Sequence, residues 1–248
     1  MRVIAADLHV HTALSPCADD GMTPELIVYA AIAAELDLIA ICDHNCACNT
    51  GAVCDAAAAI AGDFLQVIPG MEITTREEAH VLALFPAVDD AMGASKVLAD
   101  HLPPAGPGGN PFGNQLLMDA EGHVTGTVDR LLSFASGLGL TETVELVRRH
   151  HGLVIAAHVD RPSFSVISQL GFIPEDIDFD ALEISAAGCA RGEQDKFTHT
   201  GLPLITSSDA HFIQNIGDAR TYFLLECPDI QEIKLALKGI CGRECRLA

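Results

Sequence analysis

Short, continuous apolar runs rich in β-branched residues alternate along this chain with longer stretches of helical periodicity. That alternation restricts the fold more than any other feature. Val3–Leu8, Leu38–Cys42, Leu65–Ile68, His80–Phe85, Leu153–Ala157, Ala181–Ile184 and Pro203–Thr206 have the composition of strands. Strands apolar along their whole length are covered on both faces, which points to a parallel sheet sheathed by helices, an α/β fold. Thr23-Pro24-Glu25 supplies an N-cap, a proline at the first helical position and an acid in the first turn, so a helix is expected from there to about Leu36. Further helices are expected over Ala52–Ala61, Thr141–His150 and Asp229–Lys238.

One stretch breaks the alternation. Leu102–Asn114 is rich in proline and glycine and reads as a loop, and Gln115–Met118 with His123–Thr127 reads as a β-hairpin turning through Asp119-Ala120-Glu121-Gly122. A long irregular segment inside a compact domain is commonly a lid or binding loop. The expected organisation is therefore a single domain over 1–248 with an insertion at about 91–140.

Composition removes several function classes. The chain has 14 Lys and Arg against 34 Asp and Glu, a formal charge of −20. A body this acidic repels polyanions and anionic membranes, so no duplex nucleic acid and no membrane partner are expected. The absence of Trp, with only two Tyr, argues against an aromatic platform for single strands. Met1-Arg2-Val3-Ile4-Ala5-Ala6-Asp7 is too short an apolar stretch for an export signal, and the nine cysteines are odd in number. Reduced thiols and a cytoplasmic location are the expectation.

The chemistry-bearing residues collect at strand ends. His9 and His11 follow the first strand, Asp43-His44-Asn45 the second and Gly70-Met71-Glu72 the third. His80 opens the fourth, His158-Val159-Asp160-Arg161 follows the Leu153 strand, and Ser208-Asp209-Ala210-His211 follows the Pro203 strand. In extended chain residues two apart face one side, so His9 and His11 can reach one ion. Taken singly, each group has an ordinary explanation: a His pair, a helix cap, an exposed acid. Together they place His, Asp and Glu on one rim, where parallel α/β folds keep their sites, as ligands suited to Zn, Mn or Fe.

The succession Asp7-Leu8-His9-Val10-His11-Thr12, Asp43-His44-Asn45, Gly70-Met71-Glu72, His158 and Ser208-Asp209-Ala210-His211 resembles the PHP (polymerase and histidinol phosphatase) family. The resemblance runs from residue 7 to residue 211. It implies a distorted (βα)7 barrel, TIM-like, with two or three divalent metal ions at the C-terminal rim of the strands, and metal-dependent hydrolysis of phosphate esters. It implies His9, His11, Glu72 and Asp209 as ligands of a first ion. Glu72, His80 and His158 would hold a second, with Glu72 bridging, and His44 and His211 a third. Family members with three ions often have a His six residues after the second His of the first motif; here that position is Cys17. Thiolate is a good zinc ligand, Asp19 or Asp20 can swing in instead, or the third site is empty; as a plain loop thiol Cys17 needs no role at all.

Arg161 directly follows a strand end and suits bidentate phosphate contact, with a salt bridge to Asp160 or another rim acid as the ordinary alternative. Arg76 and Arg191 are weaker candidates. Cys46, Cys48, Cys241 and Cys245 are read as ordinary thiols, and His101, His123, His150, His151 and His199 as surface or hairpin residues. The expected activity is that of a phosphoric ester hydrolase acting on a small phosphorylated metabolite or short nucleotide through a metal-activated hydroxide. Arg161 would hold the phosphate, and Asp209 or His211 would relay the proton. The alternatives are an amidohydrolase-like metal hydrolase and a non-catalytic, metal-stabilised scaffold.

Overall fold

The computed structural model describes residues 1–106 and 108–248. In chain order the elements are β1 (Arg2–Val10), α1 (Pro24–Ala33), β2 (Leu38–Ile41), α2 (Thr50–Ile60), β3 (Gln66–Thr74), β4 (His80–Leu84) and α3 (Val88–Ala99). There follow β5 (Leu116–Met118), β6 (Val124–Thr127), α4 (Leu140–Arg149), β7 (Leu153–Ala156), α5 (Val166–Leu170), β8 (Ala181–Ser185) and α6 (Ala186–Ala190). The chain ends with β9 (Leu204–Ser207), β10 (Thr221–Leu225), α7 (Ile230–Leu237) and β11 (Glu244–Leu247).

Nine strands form one sheet in the order β11-β10-β1-β2-β3-β4-β7-β8-β9. The stretch from β1 to β9 curls into a nearly closed barrel. Its ends meet where Ala210, just past β9, bridges Val10; His11 N donates to the Ala210 carbonyl (3.0 Å) and Ala210 N to that of His9 (3.2 Å). Lower down, Thr221 of β10 seals the seam by exchanging hydrogen bonds with Thr206 of β9, both 2.8 Å. The distorted α/β barrel expected from the sequence is the fold observed.

The distortion departs from an all-parallel sheet. β4 runs antiparallel to both β3 and β7, because only five residues separate it from β3, far fewer than a parallel crossover needs. β3 is also longer than the sequence suggested, so Glu72 sits within it and not after it. Gly70 makes that passage possible: a Cβ there would meet the Ala83 carbonyl at 2.9 Å and the Ile41 carbonyl at 3.0 Å. β10 and β11 are strands the sequence reading did not include. They pair antiparallel beside β1, with partly exposed alternate residues.

Inside the barrel, Ile4, Ala6 and Leu8 meet Leu38, Ala40, Leu82, Leu84, Leu153, Ile155 and Ile205. Outside, Ala5, Val10, Ile39 and Ile41 pack against α1 and α2. The Pro24 start of α1 holds as expected, with the Thr23 hydroxyl accepting from Leu26 N, and α4 and α7 lie within a residue of their expected bounds. Val88–Ala99 is helical where the insertion was expected to begin, and Ala91, Ala94 and Leu98 enter the second large core against Met71, Val81 and Val147. The loop expected over Leu102–Asn114 contains Pro107, which lies outside the described residues. The hairpin forms as β5 and β6, paired antiparallel. Gln115 anchors it from a buried position, accepting from Leu132 N (2.8 Å) and donating to the Arg130 carbonyl (2.6 Å). Among the described residues no helix is long and apolar enough to cross a membrane.

Candidate metal centre

Aiming the first histidines requires a break in β1. Ile4, Ala6 and Leu8 point into the barrel, so strict alternation would turn His9 and His11 outward, towards α1 and α2. The register of β1 on β2 shifts between Asp7 and Val10. A bulge of this kind reverses the facing of every later residue, so Val10 packs outward while His9 and His11 point in.

Both imidazoles are fully buried, and each is oriented through its Nδ1. His9 Nδ1 lies 3.2 and 3.1 Å from the two Glu183 oxygens. His11 Nδ1 lies 2.9 Å from Ser15 Oγ, which itself donates to Asp43 Oδ1 at 2.7 Å and so has a lone pair left for the ring N–H. With Nδ1 engaged on both rings, the two Nε2 atoms face each other at 3.1 Å. Glu72 Oε2 is 3.5 and 3.6 Å from them, and Asp209 Oδ1 3.3 and 3.0 Å. Four acceptors converging on one buried point fit a cation. The proton balance reflects the same crowding. Burial favours neutral His9, but the carboxylates of Asp209, Glu183 and Glu72 hold its pKa well above the ordinary value. Burial and the neighbouring His211 hold His11 well below it. Glu72 and Asp209 stay ionised, far below the carboxylate range despite burial, through His80 and His9 for Glu72 and His9 and His11 for Asp209.

Glu72 has its second oxygen on the other side. Oε1 is 2.8 Å from His80 Nδ1 and 3.0 Å from His158 Nε2. The structure thus brings together His80, His158 and Glu72, and Glu72 stands between this group and the first. His80 reaches the rim because β4 is antiparallel, so its first residue meets the last residues of β3 and β7. His44, paired in the sequence reading with His211 alone, also closes on Glu72 Oε2 (3.0 Å) and shares a ligand-like cluster with Glu72 and His80. Its Nδ1 and that of His158 are buried without an aligned hydrogen bond, a further sign of donor capacity that a cation can take up.

A third group joins His11, His44 and His211. Cys17 Sγ is 3.1 Å from His211 Nε2. Burial pushes this thiol up, but hydrogen bonds from His211 and His44 outweigh it and bring it down to about 6. Asp19 and Asp20 are engaged elsewhere: Asp19 Oδ1 accepts from Gly21 N, and Asp20 Oδ2 from Asn114 Nδ2. Arg161 does not pair with Asp160, whose carboxylate accepts from Ser185 N and Oγ. Its Nη1 lies 2.6 Å from Asp209 Oδ2, so Asp209 gives one oxygen to the histidines and the other to the guanidinium. Cys46 bonds to Ser95 Oγ and stays out of the cluster.

The sequence reading passed over Glu183. It lies inside β8, a run taken only for its apolar residues, yet it is buried against His9 and also accepts from His158 N (3.1 Å). An acid within an otherwise apolar strand was the available signal, since buried carboxylates need partners. Asn45, named there only within its motif, and Asn49, not named, were given no role by the sequence reading. Asn45 donates to the Leu132 and Phe134 carbonyls, Asn49 to the Leu116 carbonyl, and both accept backbone N–H groups in return, so the insertion is tied to the rim beside His44.

Residues 196–238 match the family model described as PHP-associated, in keeping with the family resemblance of the strand-end motifs. No curated protein matches the chain. Among solved structures it is similar to the lesion-specific endonuclease PfuEndoQ from Pyrococcus furiosus, at 18% identity and a TM-score of 0.73, with 98% of this chain covering 58% of that one. The complex of Endonuclease Q with a 27-mer duplex bearing an abasic lesion gives 17% identity and a TM-score of 0.72, with the same coverage. A protein from Bifidobacterium adolescentis described as a metal-dependent phosphoesterase gives 18% and 0.57, over 84% of this chain and 88% of that one. This chain therefore spans somewhat over half the length of the endonuclease. The expectation that duplex nucleic acid is no partner is overturned by these matches, because the fold that takes in nearly the whole chain also serves a protein solved on duplex DNA. The error was to argue from net charge: an anion responds to the field in the cleft, which fixed cations set locally.

Proposed function

We infer that this chain, with its PHP-type motifs and barrel, is a metal-dependent phosphoesterase. One observation carries the reading: the facing Nε2 atoms of His9 and His11, 3.1 Å apart, enclosed by Glu72 and Asp209. His9, His11, Glu72 and Asp209 would hold one divalent ion, Glu72, His80 and His158 a second, and His44, His211 and Cys17 a third, with Zn, Mn or Fe as the metals. Such ions, when bound, supply Lewis acidity to phosphoryl oxygens and lower the pKa of water towards ~7.

The protein's own groups divide the remaining work. Glu183 and Ser15 fix the tautomers of His9 and His11, so that Nε2 is the free donor of each. Arg161, with its side chain 39% exposed, binds a non-reacting phosphate oxygen from the open side of the rim. Asp209 or His211 would take up the proton released at attack; His211 Nδ1 bonds to the Asp209 carbonyl at 2.9 Å, so its Nε2 is the accepting atom when no third ion holds it. The insertion at about 91–140 of this single domain, tied down by Asn45 and Asn49, borders the approach to phosphate. Arg161 at the rim, suited to bidentate phosphate contact, favours phosphate over the C–N bond of an amidohydrolase substrate.

We take the ester to belong to a small phosphorylated metabolite or short nucleotide and the location to be cytoplasmic. The test is elemental analysis of the purified protein alongside turnover of phosphomonoesters, phosphodiesters and lesion-bearing duplex DNA. Two to three ions per chain and hydrolysis of at least one class support the reading. Bound metal with no turnover of any class would point to the scaffold alternative instead.

A further inference from the structure

The loop between β7 and α5 wraps around one candidate ligand. Ala157 N donates to the His80 carbonyl (3.2 Å), and His80 N donates to the Phe164 carbonyl (2.8 Å), so the loop leaves His80 and returns to it. Inside the loop Arg161 N donates to the His158 carbonyl (2.9 Å), and Ser165 Oγ closes it by donating to the Arg161 carbonyl (2.8 Å). Ser165 also caps α5. Asp160 is held inward on Ser185. Arg161 and, three residues on, Phe164 remain at the surface.

Phe164 is 45% exposed and sits at φ +58, a region that bulky residues rarely adopt. Such backbone persists where the surroundings impose it, and it concentrates at functional sites. Here it lays the ring on His80, with centroids 5.0 Å apart and planes at 23°, and leaves the rest of the ring in solvent. Orienting His80 does not require this. Glu72 Oε1 already fixes its Nδ1 at 2.8 Å, and two backbone bonds fix its main chain. Burial does not require it either, since nearly half of the ring stays wet. An exposed flat apolar face and an exposed guanidinium on one tied loop match a ligand with a flat ring near an anion.

We propose that Phe164 is a specificity-determining residue whose open face stacks on a planar, π-bearing group of the substrate while Arg161 holds the phosphate. The favoured esters are then those with a nucleobase or similar ring close to the phosphorus. The proposal rests on the phosphoesterase reading for the identity of the anion. Phenylalanine offers no hydrogen-bonding edge, so the platform takes any base without selecting among them.

The absence of tryptophan from the chain makes a direct test available. Phe164→Trp keeps an aromatic ring on His80 and adds the only tryptophan emission. Loaded with Mn and titrated with 5′-AMP, this variant should be quenched saturably, while ribose 5-phosphate should leave the emission unchanged. By calorimetry, Phe164→Leu should weaken 5′-AMP about tenfold and ribose 5-phosphate less than twofold. No quenching by 5′-AMP, equal quenching by both ligands, or equal affinity losses would overturn the proposal. The tryptophan readout decides the matter even where the leucine variant loses metal. Hydrolysis of ring-free esters with no preference for bases sinks this inference and leaves the phosphoesterase reading standing. Base-dependent quenching without turnover of any ester does the reverse.

Discussion

At the base of the barrel, Arg148 donates to Asp180 Oδ2 (2.5 Å), to the Gly152 carbonyl (2.9 Å) and to the Asp178 carbonyl (2.6 Å), while Asp180 also accepts from Val154 N (2.8 Å). Opposite charges meet and backbone groups are satisfied, and the left-handed residue there, His151, is the ordinary close of a helix. At the rim, His9, His11, His44, His80 and His158 surround the Glu72 carboxylate, and Asn45, His158, Phe164 and Asp209 all hold positive φ at strand ends and loops. The same barrel thus pairs opposite charges at one end and gathers imidazoles around a buried carboxylate at the other. On the proposed function stability belongs to the base and chemistry to the rim, and substitutions at the two ends should fail in different ways.

Glu72→Gln gives the largest expected effect. Glu72 serves both main groups, so turnover should fall to background and about two ions per chain should be lost; a variant with full metal content and wild-type rate would break the binuclear reading. Arg161→Ala comes next, lowering kcat/KM on phosphate esters about 100-fold with metal content near wild type, since charge-assisted contacts contribute ~1.5–3 kcal/mol. If metal is lost in step with activity, Arg161 acts by positioning Asp209. Glu183→Gln should weaken metal binding by about 10–100-fold, because an amide oxygen is a poorer partner for the His9 N–H than a carboxylate; a chelator competition that finds no change would remove Glu183 from the site.

The base should answer differently. Asp180→Ala should lower Tm by roughly 4–8 °C, for a loss of about 2 kcal/mol, while kcat on any accepted ester stays within twofold. A matching fall in kcat would erase the distinction between the ends. The smallest effect falls at the third group. Cys17→Ala should lower metal stoichiometry by about one ion per chain after dialysis and spare the ions held by Glu72. Retention of every ion would reduce Cys17 to a loop thiol.

Much of this centre was legible before any fold was known. His9, His11, His44, Glu72, His158 and Asp209 stand beside apolar runs that had to be strands, and that adjacency survives in the barrel. His80 was legible as a ligand only through the family resemblance; by its own position it opens a strand, and in a parallel sheet it would have faced the wrong end. β10 was passed over although Tyr222-Phe223-Leu224-Leu225 is a continuous apolar run, whereas the edge strand β11, with alternating exposed residues, offers no such run. Glu183 was hidden by its apolar neighbours.

Sequence alone determined the class of fold, the kinds of donor and their order along the chain, since local periodicity and residue chemistry are properties of short segments. Tertiary structure decided where those donors point. The bulge in β1 turned His9 and His11 inward, the antiparallel β4 carried His80 to the rim, and closure of β9 on β1 set Asp209 against His9. Each depends on which distant strand lies alongside. A strand's own pattern fixes its alternation, but its register, direction and neighbours come from contacts between residues far apart in the chain.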